Sequence, residues 1–340
     1  AAWTVEAPGY VAAGAGGALA SLRSAGGPEL LAGPGLGHCF FRAPTDNDRC
    51  GLDFVMPRLT GLPVLRGLLL RAGSLSDAAA WRAAGLDRLR PATESSDWGS
   101  GAEGPVLRVT ERFSAGSKAC FRTETLYTFG AVEVSVSVRV SALAPLHRLA
   151  TLPRVGVRFA MPPGFSAVQW LGCGPGESYP DRKAAAPWAV HRGSVDEQHV
   201  DYIVPSENGG KADVHWAALT DEQQGHGLLL QYLCPSATPL PERPEDRPAG
   251  LHPAGTRGAQ LALSRWSPAE LDAARHQHEL PQREARAKRP VQVHVDAAHA
   301  GIGGAGNGVT ELWATAAQFR VSPKESPWAY VLRLRPLTPE

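Results

Sequence analysis

The densest polar stretch of the chain is "FFRAPTDNDR", residues 40–49, in which Arg42, Asp46, Asn47 and Asp48 crowd around a proline and a threonine. Two carboxylates this close raise three chemistries: an acid with its nucleophile, a cation loop, or a buttressed turn. Carboxylates that cleave a glycosidic bond stand about 5–9 Å apart and normally come from separate segments, which one tight turn does not supply. A helix–loop–helix calcium site needs a spaced oxygen series closed by a distal Glu, and none follows here. Asp and Asn in turns bond nearby backbone, and a flanking Arg grips a carboxylate with its fork of donors. The stretch is therefore expected to be architectural.

Two further stretches concentrate polar groups. "GCGPGESYPDRKAAAPW" (172–188) places Glu177, Tyr179, Asp181 and Arg182 on a glycine-rich path. It lacks the G-x-x-x-x-G-K-[ST] spacing of a phosphate loop and reads as a packed turn, with Asp181 and Arg182 paired outward. "DYIVPSENGGKADVHWAALTD" (201–221) carries Glu207 and Asn208 in a turn between apolar runs, and His215 is the partner it offers Glu207 for acid–base work. His276 and His278 lie two apart on an expected helix, so they point to different sides and do not share a metal; no metal site is expected. His294 and His299 lie near the glycine loop "HAGIGGAGNG" (299–308), which suits close backbone packing or a sugar ring passing over it. Trp170, Trp188, Trp216, Trp266, Trp313 and Trp328 are rings of the kind that stack on sugars, although each taken singly is more often core.

Alternation dominates the elements that must position these groups. In "AVEVSVSVRVS" (131–141), Val132, Val134, Val136, Val138 and Val140 share one face and polar residues the other, as in a half-buried antiparallel strand. Residues 106–113, 120–129, 154–161, 260–263, 291–296 and 328–335 repeat the pattern, and 37 glycines and 29 prolines punctuate it as many short strands require. Helices are few. Residues 267–278 carry a Ser267–Glu270 capping box with Pro268 at the first turn, and 76–87 form a shorter candidate stopped by Gly85. Residues 51–73 and 235–258 read as loop insertions. The expectation is an all-β fold, a large antiparallel β-sandwich with few short helices, forming one domain over residues 1–340.

A formal net charge of +1 gives no reason to expect nucleic acid or an anionic membrane surface as partner, and no run of 18 apolar residues occurs. Cys39, Cys50, Cys120, Cys173 and Cys234 are scattered and odd in number, which suits free thiols in a reducing compartment and favours the cytoplasm. The opening "AAWTVEAPGY" has no initiator Met, so a segment of a longer polypeptide is expected.

The order "FRAPTDNDR", "GPGESYPDRKAA", "PSENGGKADVHWAALTD", "SPAELDAARHQHEL", "GIGG" resembles the C-terminal domain (domain 5), or separate small chain, of the large bacterial β-galactosidases of glycoside hydrolase family two. The resemblance covers residues from about 1 to 337 outside the two insertions. It implies a supersandwich like that of aldose mutarotases. It also implies that the catalytic glutamates, with Mg and Na, belong to a barrel domain in the same or another chain, so that this chain has neither catalytic residues nor cofactors of its own. The implied partners are that barrel, a terminal β-galactoside and further copies of the whole enzyme. The motif residues Arg42, Asp46, Asn47, Asp48, Glu177, Tyr179, Asp181, Arg182, Glu207 and Asn208 become structural. In this family the loop after G-[IV]-G-G usually continues D-[ND]-S-W, and that Trp stacks on the sugar. Here the register places Gly308 at the Trp position, and Trp313, five residues later, is the candidate substitute. The alternatives are a free-standing carbohydrate-binding module and a mutarotase-like epimerase using Glu207 and His215.

Overall fold

A computed structural model describes residues 2–50, 64, 76–221, 225–233, 258–303 and 317–339. Seventeen strands occur among them, and all their pairings are antiparallel. The chain opens with a three-stranded meander of β1 (Ala2–Ala7), β2 (Tyr10–Ala15) and β3 (Ala18–Ser24). A five-stranded sheet has the order β12-β15-β16-β9-β4, formed by Lys211–Val214, Ala259–Ser264, Val291–His299, Arg154–Met161 and Ala32–Cys39. A nine-stranded sheet has the order β11-β10-β13-β14-β17-β8-β7-β6-β5. Its strands are Trp188–Ser194, Ala167–Cys173, Trp216–Thr220, Gly227–Leu233, Trp328–Leu337, Val134–Ala142, Lys118–Phe129, Gly104–Ala115 and Arg90–Gly101.

The inner faces of the sheets share one core. Val134, Val136, Val138 and Val140 of β8 are buried, as the alternation requires, and pack into a cluster with Val155 and Val157 of β9 and Val291, Val293 and Val295 of β16. Val132 precedes the strand and is exposed. The expected strands at 106–113, 120–129, 154–161, 260–263, 291–296 and 328–335 all form, most of them longer than the pattern alone marks. The expectation of half-buried strands fails in the five-stranded sheet. In β16, His294 and Asp296 lie on the face opposite the valines and are buried too, because this sheet is covered on both sides. A second small cluster of Ala43, Trp266, Leu271, Ala274 and Leu280 lies apart from the main core.

Four short α-helices occur among the described residues. They are α1 (Asp46–Arg49), α2 (Asp77–Ala84), α3 (Pro268–Ala273) and α4 (Arg283–Ala287). Ser76 caps α2 and Gly85 ends it at φ 81°, in the left-handed region that glycine tolerates. The capping box of Ser267 and Glu270 forms in α3, but the helix stops at Ala273 instead of reaching His278. His276 and His278 therefore sit on a loop and a 3-10 turn with their rings stacked 5.4 Å apart, not on different sides of a helix. No helix among the described residues is long and apolar enough to cross a membrane. The insertions expected at 51–73 and 235–258, and both Gly308 and Trp313, lie outside the described residues, apart from Val64 and Gly258.

Candidate functional site

The three polar motifs, far apart in sequence, meet around one short piece of backbone: Ala300–Gly303, just after β16. From the first motif, Arg42 is fully buried and holds Asp48 in a fork, with Nη2 donating to Oδ1 at 2.8 Å and Nε to Oδ2 at 3.2 Å. The same guanidinium donates to the Ala300 carbonyl at 2.7 Å and to the Gly301 carbonyl at 3.0 Å. Asn47 donates to the Ile302 carbonyl at 2.8 Å. From the second motif, Asp181 accepts from the Ile302 and Gly303 amides at 3.1 and 2.7 Å. From the third, the Glu207 amide donates to the Ala43 carbonyl at 3.0 Å, tying this turn to the first motif.

Local sequence explains how these side chains come to face inward. Thr45 caps α1 and forms a capping box with Asp48, whose Oδ2 accepts from the Thr45 amide at 2.8 Å. That box fixes the Asp48 carboxylate where Arg42 reaches it. Asp46, one turn position away, is exposed. The two aspartates of the opening motif thus differ in kind: Asp48 is enclosed in the network and Asp46 faces out.

Glu177 and Arg182 pair at 2.7 Å; Glu177 also takes the Tyr202 hydroxyl in a short hydrogen bond and the Gly209 amide at 3.0 Å. The expected outward pairing of Asp181 with Arg182 is replaced, because Asp181 turns to the backbone amides and Arg182 to Glu177. Tyr179 is fully buried, exchanges backbone hydrogen bonds with Arg182, accepts from the Gly210 amide at 3.2 Å and packs its ring 5.5 Å from that of His299. Burial, together with the charges of Glu207 and Glu177, pushes its hydroxyl well above the usual range. Asn208 accepts from the Val200 amide at 3.0 Å and donates to the Ser206 carbonyl at 2.9 Å.

Behind this frame runs a buried line of alternating charge. His299 Nδ1 lies 3.2 Å from Arg42 Nη1, and the tautomer that accepts there carries its proton on Nε2, toward Glu207 Oε1 at 4.0 Å. Glu207 Oε2 takes Arg154 Nη1 at 3.4 Å, and Arg154 Nη2 reaches Asp296 at 2.7 Å. Burial and the two flanking guanidiniums hold His299 well below the ordinary imidazole value, so it is neutral. Burial pushes the Asp296 carboxyl up to about 6, against the pull of Arg154. Glu207 therefore faces His299. His215, its expected partner, lies with its ring 5.8 Å from that of Trp188.

Sequence reasoning passed over Arg154 and Asp296, which begin and end expected strands. A strand read as half-buried assigns such charges to solvent, and only the knowledge that the five-stranded sheet is covered on both faces would have placed them inside. Of the tryptophans, Trp170 and Trp266 are buried core rings, and Trp188, Trp216 and Trp328 are half-buried. Among the described residues no group of three His, Cys, Asp or Glu is arranged to hold a metal.

Comparison with known proteins matches residues 10–334 to a family described as beta galactosidase small chain. A β-galactosidase of Arthrobacter sp. (strain B7) is 31% identical over 307 residues, covering 90% of this chain and 26% of that protein. One from Priestia megaterium is 33% identical over 199 residues, covering 58% of this chain and 16% of that protein. The chain thus spans about a quarter or less of the length of these curated relatives. Among solved structures, a galactose mutarotase-like protein from Lactobacillus casei aligns over 99% of this chain and 100% of its own, with 10% identity and a TM-score of 0.44.

Proposed function

This chain belongs to the β-galactosidase small chain family, and from that premise we propose that it is the C-terminal sandwich domain of a glycoside hydrolase family two enzyme acting on terminal β-galactosides. In this reading the chain forms one domain that completes the sugar pocket and stabilises the assembly. The paired carboxylates that cleave the bond with retention come from a barrel domain in the same or another chain, as do the ions. The observation that carries the reading is the convergence of Arg42, Asn47 and Asp181 on Ala300–Gly303. That grip fixes the point from which the following loop departs, and the loop contains the candidate sugar platform Trp313. The carboxylates of the frame support the same division of labour. Asp48 is held by Arg42, Asp181 by two amides, Glu177 by Arg182 and Tyr202, and Glu207 by Arg154. Each is engaged in holding structure rather than presented as an acid and nucleophile pair.

The test is complementation. The 340-residue chain is mixed with a family-two β-galactosidase truncated before its C-terminal domain, and nitrophenyl-galactoside hydrolysis is followed. Activity in the mixture alone is the expected result, with Trp313→Ala weakening substrate binding. Hydrolysis by the pure chain, or silence when the folded chain is supplied with its own upstream sequence, refutes the reading.

A further inference from the structure

The sandwich holds a second feature, at the other end from the motif frame. Where the two large sheets splay, a cleft of about 450 Å³ opens between β4 and β9 on one side and β6 and β7 on the other. The register separates it from the frame: His299 pairs with Arg154 at one end of β16 and β9, and Gln292 pairs with Ala160 beside the cleft. Six residues of strand at about 3.3 Å each put the two sites roughly 20 Å apart. The volume falls within the range of small-molecule sites, about 300–1,000 Å³.

We infer that this cleft binds a neutral saccharide, at a site separate from the one that the loop after Gly303 borders. The lining decides the class. Phe40 and Phe113 meet edge to face at 5.1 Å and, with Tyr127, give an aromatic wall. Against it lie His38, Glu111 and Arg158. The His38 side chain is 5% exposed, and burial lowers its pKa to about 4, so it is neutral near pH 7 with one donor and one acceptor nitrogen. Nε2 bonds Thr125 Oγ1 at 3.1 Å, while Nδ1 is buried with no hydrogen-bond partner among the described residues. Glu111 Oε2 stands 3.8 Å from that imidazole, too far for a hydrogen bond, and burial raises its pKa.

A wholly apolar ligand would cover Glu111 and His38 without satisfying them, at a cost of about 1–3 kcal/mol per group. A strongly charged ligand finds both signs, Glu111 against Arg158, and no excess of either. A ring with one apolar face and a rim of hydroxyls matches both halves of the lining, since hydroxyls donate to Glu111 and either donate to or accept from the imidazole.

Gly37 supplies the test. It lines the cleft, and a Cβ there would meet no atom within 4 Å, so a side chain enters open space without disturbing the strand. D-Galactose and lactose are titrated onto the 340-residue chain by calorimetry and saturation-transfer NMR, with cyclohexanol as the apolar-ring control. Thermal melts confirm that each variant is folded. The expected result is a sugar dissociation constant on the order of 1 mM, weakened about tenfold by Gly37→Val and by Glu111→Gln, with the exposed β5 variant Asp97→Asn unchanged. No binding of either sugar, binding that Gly37→Val leaves intact, or cyclohexanol bound as tightly as the sugars overturns the inference.

Discussion

Asp48→Ala, set beside Asp46→Ala, separates the two carboxylates of the opening motif. Asp48 is 2% exposed and Arg42 0%, and the fork between them is made at 2.8–3.2 Å. Removing the carboxylate leaves a guanidinium buried with only carbonyls and a neutral imidazole for company. Breaking a buried pair on one side costs about 3–5 kcal/mol. The Thr45 amide loses its acceptor as well, so the upper half of that range is expected. At about 2.1 cal/mol/K per residue, a chain of this length unfolds with an entropy near 0.7 kcal/mol/K, and the melting temperature falls by about 4–7 °C. Asp46 is exposed, and its replacement stays within about 0.5 kcal/mol. Urea titration measures the free energies and calorimetry the melting points. Equal costs at the two positions, or a loss at Asp48 below about 1 kcal/mol, would refute the claim that one aspartate holds the frame and the other does not.

Three further outcomes are expected. Asp181→Ala removes the acceptor of the Ile302 and Gly303 amides; their hydrogen exchange should quicken by about tenfold or more, with the centre of β16 unchanged and global stability down by only about 1–2 kcal/mol. His38, held near 4 by burial, has a folded pKa below its ordinary 6.5. Its contribution is therefore fully present above about pH 6.5 and is lost as pH falls toward 4, and denaturation of His38→Gln across that window should lack a loss of about 3 kcal/mol seen in the parent chain. Asp296, raised to about 6, acts in the opposite sense, so the difference between the two chains, and not the parent profile alone, is the quantity to compare. Burial raises the thiol pKa values of Cys39, Cys120 and Cys173, that of Cys173 to about 11, and all three should resist Ellman's reagent in the native chain and react once it is unfolded in urea.

Much of the fold was legible because a half-buried strand writes its burial into the sequence at period two. The valines of β8 and the polar residues between them left little choice. The strand β5 was not legible: all twelve of its residues are exposed, so no face imposes a pattern, and it is a strand because β6 offers a free edge. The end of α3 was misread because its capping box fixes only a beginning; Ala274 already has extended backbone. The site was legible in its parts and not in its assembly. Turn chemistry identified Asp48 as structural, but spacing along the chain does not encode that Asp181 reaches Ile302 across 121 residues. Arg182 illustrates the same limit, since adjacency suggested Asp181 as its partner where folding supplies Glu177.

A core of valine and leucine would be at least as stable as one threaded by Arg42, His299, Glu207, Arg154 and Asp296, because desolvating ions consumes most of what their pairing returns. The line of charge therefore calls for an explanation other than stability. Apolar side chains tolerate sliding, whereas a fork bonded to a carboxylate and two carbonyls at once permits one arrangement. Arg42 has that geometry: Asp48 fixes it from below, and it fixes Ala300 and Gly301 in turn. Asn47 and Asp181 then bind the carbonyl and the amide of the next residue, so that neither end of the Ile302 peptide is free to turn. Such precision is wasted on a surface loop with no task. It is what a loop needs if it must present a side chain to a ring held by another part of the enzyme, where an error of about 1 Å is costly. The position of the charged line, directly beneath Ala300–Gly303, thus supports the pocket-completing role more strongly than any single contact within it.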